Sequence, residues 1–246
     1  MEEEIDFYEK IKNFRNNKDR KVQSRLIDDS FFKYYNEINK RSNSQSVVLD
    51  IGTRDGEKIM SNINEVGMII GIDFSKDKIE KANENVEKYK KLAKFLVMDI
   101  NKLEFPQNFF DIICVNHNIF NGKEAKRVLK PKGVFIAEDL DEEDCLELKA
   151  IFRRGQGYFY KEKNYERSLK ELKNAEFTDI EYFQTEQEFY LKTEDDLIMF
   201  LIETRIIQEF GSRKGDFEKF KKFVKEYSTD KGIVLKRRYY GIIALK

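Results

Sequence analysis

The sequence is poor in several residue types, and each shortage narrows what the protein can be. One histidine, His117, and two cysteines, Cys114 and Cys145, occur in 246 residues. A zinc centre built from Cys and His ligands has almost nothing to draw on, and no metal site is expected. Cys114 lies inside an apolar run and reads as a small buried hydrophobe. Only two prolines are present, Pro106 and Pro131, and both are expected in connections, where their missing N–H does no harm. No run reaches the ~18–20 apolar residues that span a bilayer. The opening residues, MEEEIDFYEK, are acidic and amphipathic, unlike a signal peptide. These features predict a soluble cytoplasmic protein with no membrane partner. An excess of either charge is also lacking. Lys plus Arg and Asp plus Glu number 46 each, so no bulk attraction to nucleic acid or anionic lipid is implied.

What the chain does have is apolar and aromatic material for a core, with 21 phenylalanines and 12 tyrosines. Residues 4–40 carry helical spacing: Ile5, Tyr8, Ile11 and Phe14, then Leu26, Phe31, Phe32, Tyr35 and Ile38. The polar break Arg41–Ser46 follows. Five short apolar runs come next, at 46–50, 67–73, 93–98, 109–115 and 134–138, separated by helical patterns at 57–63, 76–91 and 123–129. Ser75 reads as the N-cap of the second helix. Strands alternating with helices over short connections predict a parallel, doubly wound α/β sheet. The last third is more helical, with amphipathic stretches at 164–174, 195–210 and 217–227, and the chain closes on a strand-like Tyr239–Leu245. The expected organisation is an N-terminal helical lid over 1–45 and a Rossmann-like domain over 46–246, with a helical insertion at about 190–230.

Three carboxylates give this pattern its chemistry. The run Val47-Val-Leu-Asp-Ile-Gly-Thr-Arg-Asp-Gly56 ends a strand in an acid and a glycine turn. Such a turn lets backbone N–H groups approach a ligand, although many strand–turn–helix units bind no nucleotide. Asp73 ends the second strand, where a carboxylate can accept the hydroxyls of a ribose or merely favour a helix N-terminus. Asp99 ends the third, where it can accept the amine of an adenine or be an ordinary loop acid. Strand ends converge on one crevice in a doubly wound sheet, so the three acids together make a site more economical than three coincidences.

Over residues 45–139 the sequence resembles the class I S-adenosylmethionine-dependent methyltransferases. The resemblance rests on VVLDIGTRDG, IIGIDFSKDKIEKANEN, KFLVMDINKLEFPQNFFDIICV and EAKRVLKPKGVFIAED, in that order and spacing. It implies S-adenosylmethionine as cofactor and a seven-stranded sheet whose last strand is antiparallel. It also implies that Asp50, Gly52, Thr53 and Gly56 shape the pocket for the methionine end. Asp73 would bind the ribose, Phe74 would pack on the adenine, Asp99 and Ile100 would flank the base, and Asn116 would line the cofactor. Arg54 departs from the pattern, standing where the family usually has glycine. Its side chain could crowd the cofactor, reach an acidic group, or turn to solvent as the loop opens.

His117 is a candidate general base, because imidazole titrates near neutral pH; the alternative is a loop histidine making ordinary hydrogen bonds. The aromatic residues Tyr8, Phe31, Phe32, Tyr34, Tyr35, Tyr158, Phe159 and Tyr160 could close an apolar acceptor pocket or simply pack a core. The basic clusters 88–94 and Lys236-Arg-Arg238 read as solvated faces. The expected function is direct methyl transfer to a small-molecule acceptor. The alternatives are an RNA methyltransferase and a non-catalytic S-adenosylmethionine-binding regulator.

Overall fold

A computed structural model describes residues 2–16, 22, 24–27, 32–158 and 163–246. In chain order its elements are α1 (Glu2–Asn16), β1 (Ser24–Ile27), α2 (Tyr34–Asn39), β2 (Val47–Ile51), α3 (Glu57–Asn62), β3 (Met68–Asp73), α4 (Lys76–Tyr89) and β4 (Ala93–Val97). There follow β5 (Phe110–Asn116), α5 (Gly122–Val128), β6 (Leu129–Leu140), α6 (Leu146–Phe152), α7 (Asn164–Asn174), β7 (Thr178–Leu191), α8 (Glu194–Thr204), α9 (Asp216–Tyr227), β8 (Ser228–Thr229) and β9 (Gly232–Leu245). Of the aromatic residues singled out above, Phe31, Phe159 and Tyr160 lie outside the described residues. Among those described, no helix is long and apolar enough to cross a membrane.

The chain divides into two compact units. The larger comprises Phe31–Leu140, Asn164–Thr185 and Tyr239–Lys246. Its sheet runs in the order β7-β9-β6-β5-β2-β3-β4. The five strands from β6 to β4 are parallel, and β9 lies antiparallel to β6, with Val134 opposite Leu245 and Leu140 opposite Tyr239. These seven strands are the expected doubly wound, mostly parallel arrangement with an antiparallel last strand; β1 pairing with β7 and β8 pairing with β9 bring the sheet to nine strands among the described residues.

Alternation along these strands loads both faces with apolar side chains. Val48, Ile69, Ile112, Cys114 and Ile136 cluster with Tyr34, Ile38, Ile59, Met60, Ile79 and Ala82 from α2, α3 and α4. Leu49, Ile51, Ile70, Ile72, Ile113, Val115 and Phe135 cluster with Ala125, Val128 and Leu172 from α5 and α7. One glycine is dictated by this packing: a Cβ at Gly71 would stand 2.4 Å from the Phe95 ring.

Local chemistry departs from the sequence reading in places. Ser75 is the N-cap of α4 as expected, but its hydroxyl makes no capping bond, and its own N–H donates to Asp73 Oδ1 at 2.9 Å. Helix α5 is capped by Asn121, which accepts the Glu124 N–H at 3.1 Å. Lys130–Gly133 does not end the helix in a free turn. It bulges within β6, whose pairing jumps from Phe110–Leu129 to Ile112–Val134. Pro131 therefore sits where no ladder hydrogen bond is asked of it.

The second unit comprises Met1–Ser30, Asp141–Lys163 and Glu186–Arg238. Phe7 and Ile11 of α1 pack with Leu148 and Phe152 of α6, Leu197 of α8, and Phe220 and Phe223 of α9. Helical spacing over 4–40 is interrupted here: Ser24–Ile27 is a strand paired antiparallel to Glu188–Leu191, because ladder hydrogen bonds to a partner override local periodicity. Helix α8 stops at Thr204, short of the expected 210, where Arg205 turns left-handed. The basic run Lys236-Arg-Arg238 is no solvated face. Arg237 pairs with buried Asp144 at 2.7 Å, and Arg238 pairs with Glu147 and Glu186, each at 2.7 Å.

Candidate active site

In the larger unit, β2, β3, β4 and β5 end side by side, and their C-terminal turns enclose two clefts that share Gly52. The larger, about 670 Å³, is lined by Asp73, Phe74, Val97, Met98, Asp99, Ile100, Asn118 and Ile119, among others. The smaller, about 180 Å³, is lined by Tyr35, Asp50, Gly52, Thr53, Arg54, Asp55, Asn116 and His117, together with Glu57 and Lys58 at α3. Eight of the nine residues expected to bind a cofactor therefore line one cleft or the other. Gly56 does not. It caps α3 at φ +67°, and a Cβ there would stand 2.6 Å from the Phe95 ring, so its absence of side chain serves packing.

The turn after β2 is held from behind. The N–H groups of Gly52 and Thr53 both donate to Ile72 O, at 2.8 and 3.0 Å. Asp73 accepts the Arg54 N–H through Oδ2 at 3.1 Å, while its Oδ1 holds Ser75. One carboxylate thereby ties the first turn to the second. Arg54 adopts φ +56°, the left-handed conformation that a glycine would take there freely. The turn has not opened. Its backbone pays the strain, and the Arg54 side chain is exposed at the rim of the smaller cleft. Gly52, at φ +77°, lies directly beneath the Asn118 carboxamide, which a Cβ would strike at 1.7 Å.

Electrostatics single out Asp50. Its side chain is buried, and desolvation raises its pKa from 3.8 to about 6; the Asp73 carboxylate adds to the rise, and neighbouring Thr53 and Cys114 offset part of it. The Cys114 thiol donates to Leu49 O at 3.3 Å and lies 3.7 Å from Asp50 Oδ1. Burial likewise raises Tyr35 and Cys114, and the Asp50 charge adds to both.

Two side-chain pairs join the ends of β5 and β6. Asn116 Nδ2 donates to Glu138 Oε1 at 3.0 Å, and His117 Nδ1 lies 3.3 Å from Asp139 Oδ1. Glu138 and Asp139 escaped the sequence reading, whereas Asn118, next to His117 after the fourth apolar run, falls where the family resemblance expects contacts. The signal was present in Glu138-Asp139 closing the fifth strand beside Asn116-His117, but only the parallel register aligns the two pairs.

The residues present suit an adenosyl cofactor. The larger cleft combines apolar walls with two carboxylates able to accept from hydroxyls and an amine, and the smaller holds a buried carboxylate that an ammonium group would neutralise.

The sequence matches the methyltransferase domain family over residues 42–194. The chain belongs to that family, the class I S-adenosylmethionine-dependent methyltransferases its four blocks resemble. No curated protein matches the sequence. Among solved structures, this methyltransferase is similar to a functionally unknown protein from Deinococcus radiodurans, at 14% identity and TM-score 0.62, with 99% of each chain covered. It is also similar to YcgJ from Bacillus subtilis, at 18% identity and TM-score 0.57, with 87% of this chain and 97% of that one covered. A third is Haemonchus contortus phosphoethanolamine N-methyltransferase 2 in complex with S-adenosyl-L-methionine, at 19% identity and TM-score 0.51, with 86% of this chain and 51% of that one covered. At these identities the likenesses concern the fold.

Proposed function

We propose that this methyltransferase transfers the methyl group of S-adenosylmethionine directly to a small-molecule acceptor. One observation carries the reading. Phe74, Val97 and Ile119 are 82%, 52% and 67% exposed, three of the five large apolar side chains left in solvent among the described residues, and all three line the cleft that holds Asp73 and Asp99. An apolar slot flanked by carboxylates matches a flat, amine-bearing base joined to a ribose.

Phe74, Val97 and Ile100 would pack on the adenine, and Asp99 would accept its exocyclic amine. Asp73 accepts the ribose hydroxyls. Both its oxygens already hold backbone N–H groups, which fix its orientation and leave further lone pairs for the ligand. Asp50 would meet the ammonium of the methionine end and Arg54 its carboxylate, with Thr53 and Asn116 lining the same cleft. When bound, the cofactor supplies a methyl group activated by its sulfonium. The chain's own contribution is to align the acceptor and exclude water around it.

The small-molecule assignment is supported by the balance of charge and by the engagement of Lys236-Arg-Arg238 in ion pairs rather than in a basic surface. Thermal unfolding tests the cofactor: S-adenosylmethionine is expected to raise the melting temperature, and NAD to leave it unchanged. Label from methyl-labelled S-adenosylmethionine is expected in the low-molecular-weight fraction of an extract. Label confined to bulk RNA would refute the acceptor class.

A further inference from the structure

We infer that His117 is the general base of the transfer and Asp139 its positioning residue, so that the acceptor binds with a proton on the atom that becomes methylated. The inference rests on the methyl-transfer reading above.

His117 is the sole histidine of the chain, and it stands on the first residue after β5. Its backbone is left-handed, at φ +51°, a conformation that side-chain-bearing residues seldom hold without tertiary support. Support comes from the neighbouring strand. The His117 N–H donates to Glu138 O at 2.8 Å, extending the β5–β6 ladder one residue beyond its end. The ring is then held on two sides. Asp139 Oδ1 lies 3.3 Å from Nδ1, and the Tyr239 ring packs at 5.8 Å between centroids. Asp139 is itself anchored, because the same Oδ1 accepts the Leu140 N–H at 2.7 Å.

The consequence is a choice of tautomer. A carboxylate oxygen only accepts, so the proton of the neutral ring resides on Nδ1 and the lone pair on Nε2. His117 lines the smaller cleft with Asp50, Asn116 and Tyr35, the cavity proposed for the methionine end.

The step balances. The acceptor nitrogen or hydroxyl oxygen gives its proton to Nε2, and the freed lone pair bonds the methyl carbon. The carbon–sulfur bond breaks with its electron pair going to sulfur, and the imidazolium later returns its proton to solvent. An acceptor with no proton on the reacting atom, such as a thioether or a tertiary amine, would have no use for the pair. The structure thus assigns the acceptor to proton-bearing amines or hydroxyls.

With one histidine, a ¹⁵N-histidine-labelled sample gives one imidazole to follow by NMR. The wild type is expected in the Nδ1–H form, Asp139→Ala is expected to shift toward the Nε2–H form, and Asp139→Glu to restore the wild-type signature. Label transfer from methyl-labelled S-adenosylmethionine into a low-molecular-weight extract should fall about 10²-fold or more in His117→Gln. Calorimetric binding of S-adenosylmethionine to that variant should change less than about threefold. Product mass spectrometry separates the two acceptor sources, N-methyl from O-methyl, and either agrees with the assignment. An Nε2–H tautomer in the wild type, undiminished transfer by His117→Gln, or a sulfonium or quaternary ammonium product would overturn it. Failure of the wild type to bind S-adenosylmethionine would instead refute the cofactor reading, and calorimetry tells the two failures apart.

Discussion

Replacing Asp50 by Asn should stabilise the cofactor-free protein and weaken its function. Asp50 is buried, and desolvation lifts its pKa from 3.8 to about 6. A carboxyl group raised in the folded state binds its proton more tightly there than in the unfolded chain. Stability therefore falls as pH climbs through the interval from about 4 to about 6, and the whole penalty is present above it. That rise corresponds to about 3 kcal/mol. Asn keeps the shape and one acceptor for the Cys114 thiol while removing the charge. At about pH 7.5 the Asp50→Asn protein should be more stable by up to about 3 kcal/mol, equivalent to roughly 6–12 °C in melting temperature for a chain of this size. At about pH 4 the difference should shrink to roughly 0.5 kcal/mol, since the folded carboxyl is then protonated and the unfolded one only about half so. Denaturant unfolding at the two pH values measures it. Saturating S-adenosylmethionine should narrow the gap at neutral pH, because its ammonium offsets the Asp50 charge only in the wild type. An Asp50→Asn protein that is less stable at neutral pH, or equally stabilised at about pH 4, would refute the reasoning.

Other substitutions probe the same turn and the core behind it. Arg54→Gly removes a left-handed side-chain-bearing residue but gives the unfolded chain more freedom. Stability in urea should change by less than about 1 kcal/mol, while S-adenosylmethionine affinity by calorimetry drops about two- to fivefold with the loss of an exposed cation. Gly71→Ala drives a methyl group into the Phe95 ring and should cost about 1–3 kcal/mol in denaturant unfolding. Arg237→Ala leaves Asp144 buried beside an emptied site and should cost about 3–5 kcal/mol, and a gel-shift assay should show no change in RNA binding. Asp99→Asn keeps size but exchanges an acceptor for a donor toward the adenine amine. Cofactor affinity should fall about tenfold with unfolding unchanged.

Much of the larger unit was legible from the sequence alone. Each strand is a local apolar run, each helix a local period, and each of Asp50, Asp73 and Asp99 stands at the end of a run. Such signals need no knowledge of distant residues, and the right-handed parallel connection then leaves few arrangements. The order of the four blocks carried the cofactor expectation for the same reason. Local patterns were weaker where a distant partner decides conformation. Ser24–Ile27 is a strand because Glu188–Leu191 offers it a ladder. Lys236-Arg-Arg238 is engaged because Asp144, Glu147 and Glu186 meet it. Arg54 in place of glycine left three outcomes open, and the hydrogen bonds that Gly52, Thr53 and Arg54 donate to Ile72 O and Asp73 remove the opened loop by holding the turn shut.

The sequence by itself determined the doubly wound sheet, the three carboxylates at its strand ends, and the lone histidine after β5. Tertiary structure alone decided what that histidine meets. Asp139 lies 22 residues away, and no period or propensity links the two. The parallel register of β5 on β6, set by apolar residues buried on both faces of the sheet, brings imidazole and carboxylate together.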